Sequence, residues 1–181
     1  MEAERTRFAA LGRRGWALLG AGFALGLAAA AAFTFGMHAT GTDEFCASCH
    51  ARDAVPEWRA SAHYLNRSGF VAGCADCHLP AALGPRLLRK ARGATLEVWG
   101  HLTGVIDTPE KYEARRPAMA QAEWQRMRAN GARECRACHH PQSMADKGNP
   151  SLRSLHEGAL AGGQICTDCH QGIAHRAPAA K

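Results

Sequence analysis

FCASCHARDAVPEW, residues Phe45–Trp58, opens with Cys46 and Cys49 and places His50 directly after the second cysteine. The same C-x-x-C-H pattern returns as CADCH (74–78), CRACH (135–139) and CTDCH (166–170). All eight cysteines are used by these four motifs, so none is left for a disulfide. Paired C-x-x-C also suits zinc ribbons, but zinc does not require a histidine after every second cysteine. A thioredoxin-type motif needs a βαβ unit around a single pair, and nothing here has that pattern. The motif is that of c-type haem attachment. Cys46, Cys49, Cys74, Cys77, Cys135, Cys138, Cys166 and Cys169 are expected to form thioethers with four haems. His50, His78, His139 and His170 are the expected proximal iron ligands.

A low-spin electron-transfer haem also needs a ligand on its other side, an imidazole or a Met thioether. After His50 nothing as far as Trp58 supplies one. Ten histidines are present, and those outside the motifs are His38, His63, His101, His140, His156 and His175. His63 precedes the second motif by nearly the same distance as His156 precedes the fourth, and His175 closely follows the fourth in CHQGIAH. These three are the expected distal ligands, with His101 a weaker candidate. His140 adjoins a proximal ligand and points away; His38 lies at the exit of the apolar segment. Three strong ligands for four haems leave one short.

Gly15–Met37, GWALLGAGFALGLAAAAAFTFGM, carries no charge over 23 residues. At about 1.5 Å per residue it spans roughly 35 Å, enough to cross a bilayer with some tilt. A cleaved signal peptide is the competing reading, with A-x-A sites in Ala28–Ala32, but its apolar core would be shorter. Arg5, Arg7, Arg13 and Arg14 precede the segment, and no Lys or Arg follows until Arg52. That asymmetry puts the N-terminus in the cytoplasm and the rest outside, in the periplasm, where bacterial c-type haem is attached. Gly22 and Gly26 form G-x-x-x-G, which would admit a homo- or hetero-oligomeric helix contact or simply face lipid.

Beyond the anchor large apolar residues are scarce: Leu, Ile, Val and Phe make 19 of the 140 residues from Thr42. Such a composition alone signals disorder. Four apolar porphyrin plates would supply the missing core, so the haem-free chain is expected to be unfolded outside the membrane. The formal charge of +6 is offset by haem propionates. The 18 arginines, against 4 lysines, are suited to bidentate pairing with those carboxylates. No basic stripe interleaved with aromatics is present, which argues against nucleic-acid binding.

The spacing from His50 to His78, His139 and His170 is close, far, close: 28, 61 and 31 residues. With HYLNRSGFVAGCADCH matched by HEGALAGGQICTDCH, this suggests two related dihaem halves, about 43–80 and 132–175. Helices over about 81–131 would join them. One is expected over Pro85–Gly104. A second runs from the Thr108-Pro109-Glu110 start to about Asn130-Gly131, with Pro117 a candidate kink. A short helix from Asn149-Pro150 carries His156 and stops at Gly162-Gly163. The expected fold is mostly α with little or no sheet. It comprises a basic N-terminus (1–14), a single transmembrane helix (15–38) and a multihaem domain (39–181).

HYLNRSG, GVIDTPEKYE, AEWQRMRANGARECRACH and CTDCHQGIAH together resemble the NapC/NirT/NrfH family of membrane-anchored tetrahaem quinol dehydrogenases, most closely its NapC branch. The resemblance covers nearly all of the chain beyond the anchor. It implies a helix in the cytoplasmic membrane, four periplasmic haems, and oxidation of menaquinol or ubiquinol. It also implies electron delivery to a soluble periplasmic reductase, for the NapC branch nitrate reductase. Relatives serving trimethylamine oxide reductase carry a further haem domain, and the end at Lys181 disfavours that variant. Members of the family commonly place a ligating Met two residues after the first motif; this chain has Arg52 there.

Quinol oxidation releases two protons with two electrons, whereas a haem takes one electron and no proton, so a base is needed beside a haem. Haem 1, attached soon after the anchor, is expected nearest the bilayer. Lys90 and Glu97 lie seven apart on one helix face, with His101 a turn further. The carboxylate would accept a proton and the ammonium hold a quinol oxygen. Both positions resemble the Lys and acidic residue at the quinol pocket of the nitrite-reductase branch, which has Asp where this chain has Glu. The competing function is a passive tethered electron carrier, with Lys90 and Glu97 merely a solvated face.

Overall fold

The computed structural model describes residues 12–50, 53–140 and 149–179. The side chain of His50, Arg52 in the usual methionine position, and Arg5 and Arg7 lie outside the described residues. The chain divides into two compact units, Met1–Thr40 and Gly41–Lys181.

The first unit is α1, Arg13–Ala39, 27 residues of uninterrupted helix with no buried residue. It is long and apolar enough to cross a membrane. Two hydroxyls at its C-terminal end are satisfied by its own backbone, as a lipid environment demands. Thr34 Oγ1 donates to the Ala30 carbonyl at 2.7 Å, and Thr40 Oγ1 caps the end by donating to Gly36 O at 2.6 Å. Trp16, near the start, is 63% exposed, the position at which an interfacial aromatic is favoured.

The second unit is helical, and no strand occurs among its described residues. In chain order it contains α2 (Asp43–His50), α3 (Ala54–Arg59), α4 (Cys74–His78), α5 (Leu83–Leu102), α6 (Pro109–Ala129), α7 (Arg133–Arg136), α8 (Pro150–Ala161) and α9 (Cys166–Cys169). The helix ends follow local chemistry. Thr108 caps α6 by accepting from the Lys111 amide, with Pro109 at the first helical position. Asn149 does the same for α8 through the Ser151 amide at 3.1 Å. Gly131, at φ +68°, takes the left-handed conformation that ends α6. Pro117 removes one backbone donor, but α6 continues through it as a single helix.

Polypeptide packing is sparse. Among the described residues the buried apolar side chains are Val55, Trp58, Tyr112 and Ala132. Trp58 packs edge-on against Tyr64 at 4.7 Å and donates Nε1–H to the Ala72 carbonyl at 2.9 Å. So small a core cannot offset the conformational entropy of ordering some 140 residues. Haem-free chain is therefore expected to lose all far-UV helical signal beyond that of α1. Full native helicity in material produced without haem would contradict this account of the core.

Candidate haem centre

Each attachment motif sits on a helical turn, which brings cysteines three apart onto one face. Motif 1 lies in α2, motif 2 forms α4, motif 3 begins in α7 and motif 4 forms α9. Motifs 2 and 4 share an internal brace. Asp76 Oδ2 accepts from the Gly73 amide at 2.8 Å, and Asp168 Oδ2 from the Ile165 amide at 2.9 Å. Asp43, at the start of α2, reaches across to motif 2 and accepts from the Cys74 amide at 2.7 Å.

The motifs stand in file. Helix α2 packs against α4, which joins motifs 1 and 2. Helix α4 packs against α7, which joins motifs 2 and 3. Cys135 lies within electrostatic range of Cys166, which sets motif 4 beside motif 3.

Three motif histidines each face one of the expected distal histidines. The ring centres of His63 and His139 are 6.0 Å apart, those of His78 and His175 6.1 Å, and those of His156 and His170 6.0 Å. Two imidazoles on opposite sides of one metal have ring centres about 6 Å apart, from two metal–nitrogen bonds of about 2 Å and two ring radii of about 1.1 Å. The separations therefore fit a bis-imidazole iron. His63 and His175 also line a cleft of about 520 Å³ together with Glu57, Ser61 and Ile173, an apolar-walled space next to both rings.

Hydrogen bonds at the outer ring nitrogens select the same tautomer in three of these residues. His63 Nδ1 lies 3.3 Å from the Ile173 carbonyl, His156 Nδ1 2.7 Å from the Leu152 carbonyl, and His78 Nδ1 3.2 Å from Glu123 Oε1. Those oxygens only accept, so each Nδ1 donates and Nε2 keeps its lone pair for a metal. Burial would raise the Glu123 carboxyl, but hydrogen bonds to His78 and Arg126 outweigh it and hold the group at about 2. Burial pushes His175 down, towards the neutral form that ligates iron.

The pairing departs from the sequence symmetry. His63 and His156 precede their motifs by similar distances, yet His63 faces motif 3, whereas His156 faces motif 4. Motif 2 is faced instead by His175 from the C-terminal segment. The two halves thus interlock: each contributes a histidine to a motif of the other. His101, His38 and His140 take part in none of these ring pairs, and His101 and His140 are exposed.

Several functional groups escape sequence reasoning. Arg116, 6% exposed, binds Glu57 through both guanidinium nitrogens at 2.7 and 2.9 Å. It also binds Glu113 and the Arg176 carbonyl at 3.0 Å. The Arg176 amide in turn donates to Glu57 at 2.9 Å. This clamp fixes the residue next to His175. Arg126 similarly bridges Glu123, Glu134 and the Cys77 carbonyl, and Arg128 pairs with Asp168. These arginines thus bind the protein's own carboxylates rather than standing open for propionates. Of these contacts only the Glu123–Arg126 and Glu113–Arg116 spacings, i and i+3 on a helix, are visible in sequence.

The expected quinol residues are both on α5. Lys90 is partly desolvated, which lowers its pKa, and it lies within electrostatic range of Cys46. Glu97 is paired with Arg89, Nη1 to Oε1 at 2.7 Å, rather than with Lys90.

Four haem-attachment motifs, three histidine pairs at iron-spanning distance and one apolar helix define a helical multihaem c-type cytochrome with an N-terminal membrane-anchor helix. Residues 12–180 match the NapC/NirT cytochrome c family, N-terminal region, and the chain belongs to that family. The cytochrome c-type protein NapC of Escherichia coli K12 is 46% identical over 164 residues, 89% of this chain and 82% of that protein. The denitrification system component NirT of Stutzerimonas stutzeri is 44% identical over 149 residues, 81% of this chain and 74% of NirT. A chain in the crystal structure of the cytochrome c nitrite reductase NrfHA complex bound to the HQNO inhibitor shares the fold. Its TM-score is 0.50 at 24% identity, over 91% of this chain and 99% of that one.

Proposed function

We propose that this chain is a quinol dehydrogenase. On this reading it is anchored in the bacterial cytoplasmic membrane by α1, N-terminus inside, with its four-haem domain in the periplasm. Electrons from menaquinol or ubiquinol would pass to a soluble periplasmic reductase, with nitrate reductase the acceptor that the likeness to NapC favours. The haem, when bound, supplies one-electron chemistry and takes up no proton. Cys46 to Cys169 in their four motifs would hold the haems. His78 with His175, His139 with His63, and His170 with His156 would hold three of the irons.

What supports the quinol site is that Lys90 and Glu97 share one face of α5, two turns apart, with Lys90 within electrostatic range of Cys46. Lys90 would donate to a quinol oxygen next to the first attachment motif. Glu97 would accept a proton, and its ion pair with the Arg89 guanidinium holds the carboxylate in place.

Glu97→Gln is expected to slow quinol-dependent haem reduction by about 10²-fold or more, the usual share of a general base, while dithionite reduction stays intact. Unchanged quinol kinetics would remove Glu97 from the reaction. A passive carrier, by contrast, would stay oxidised when a water-soluble quinol analogue is added to the purified protein.

A further inference from the structure

Helix α5 carries a second, unused face. Lys90 and Glu97 share one side of the helix, and Lys90 lies within electrostatic range of Cys46 in the first attachment motif. At about 100° per residue, Leu88 and Trp99 lie roughly 160–180° around the helix from Lys90, and Leu96 and Leu102 about 120° to either side. These four are among the most exposed large apolar side chains of the unit: Leu88 73%, Trp99 67%, Leu102 72% and Leu96 59%. They form one row on the side away from Lys90. Arg92, also exposed, rises within the row, and Arg89 stands at its margin. Across the whole helix four basic residues, Arg86, Arg89, Lys90 and Arg92, meet a single acid, Glu97.

A water-facing row of this size is costly on a protein surface and marks a contact. Its make-up selects the occupant. Trp and Leu flanked by arginine are the combination that lies in a membrane interface, with apolar side chains at the acyl boundary and guanidinium at the phosphates. The same chain has a membrane-crossing helix, so an anionic lipid surface is always at hand. We propose that α5 is an in-plane membrane helix, with Leu88, Leu96, Trp99 and Leu102 in lipid and Arg92 on anionic headgroups. The proposal does not depend on quinol oxidation; a passive carrier would dock in the same way.

Every native cysteine is taken up by a haem, so an introduced cysteine is a unique thiol. Full-length haem-loaded Leu88→Cys, Trp99→Cys and Leu102→Cys proteins would be placed in vesicles of phosphatidylethanolamine and phosphatidylglycerol. Each would be labelled with a charged sulfonated maleimide and, separately, with a lipid-soluble pyrenyl maleimide. Arg115→Cys, exposed on α6, is the aqueous control. The three α5 positions are expected to prefer the lipid-soluble reagent by about tenfold relative to Arg115→Cys, as thiols at the acyl boundary would. Labelling by the charged reagent at the control rate overturns the proposal. Protection from both reagents also overturns it, because a second copy or another protein would then cover the face. Haem content is checked spectrally in each variant, and Thr95→Cys, on the same side, replaces any that fails to load.

Discussion

His63→Ala converts a single haem from low-spin to high-spin, and the affected haem is the one attached through Cys135 and Cys138. His63 stands 6.0 Å from His139 by ring centres and is held there by the Ile173 carbonyl. Alanine removes the imidazole and leaves an iron with one strong ligand, which a low-spin state does not tolerate. If His63 instead served the motif it precedes in sequence, the change would fall at His78. Paramagnetic NMR separates the two outcomes: the hyperfine-shifted ring signals of His139 are expected to move while those of His78 stay. Added imidazole is expected to restore the low-spin spectrum, which it would not do after a general loss of fold. His140→Ala, outside the ring pairs, is expected to change no haem.

Arg116→Met is expected to be the most destabilising single substitution in the second unit, Gly41–Lys181. Its guanidinium is nearly enclosed, spans Glu57, Glu113 and the Arg176 carbonyl, and lies 4.8 Å over the Tyr112 ring. Methionine preserves much of the volume but leaves Glu57 and Glu113 with Arg176 alone as partner. Breaking a buried pair costs about 3–5 kcal/mol, and the partial exposure of Glu57 and Glu113 lowers that to about 2–4 kcal/mol. Denaturant unfolding followed at the haem Soret band measures the loss. The same variant is expected to show partial high-spin character at the haem attached through Cys74 and Cys77. The clamp holds Arg176, the neighbour of His175, and His175 faces His78. A loss of stability with all haem spin states unchanged would show that the clamp braces the chain without positioning the ligand.

What was legible in the sequence is what is local. The C-x-x-C-H motifs name their cofactor within five residues, and the uncharged run Gly15–Met37 names the anchor. Thr108-Pro109, Asn149-Pro150 and Gly131 mark helix ends because caps, proline and glycine act through backbone atoms one to three residues away. The pairing of histidines was not legible. His63 with His139 and His78 with His175 are joined only through the folded chain, and the repeat of His63 and His156 before their motifs suggested a symmetry that the C-terminal segment breaks. The Arg116–Glu57 clamp spans 59 residues and has no local signature. Pro117 removes one backbone donor within α6, which runs on as a single helix.

The account rests on three histidine-paired irons and one of different ligation, since His63, His156 and His175 are all used at motifs 2 to 4. Low-temperature EPR of the fully oxidised protein, with spins counted per chain, tests this most directly. The expected spectrum holds three bis-imidazole low-spin ferric haems and a fourth signal that is distinct from them. Four equivalent bis-imidazole signals, or fewer than three, would contradict it.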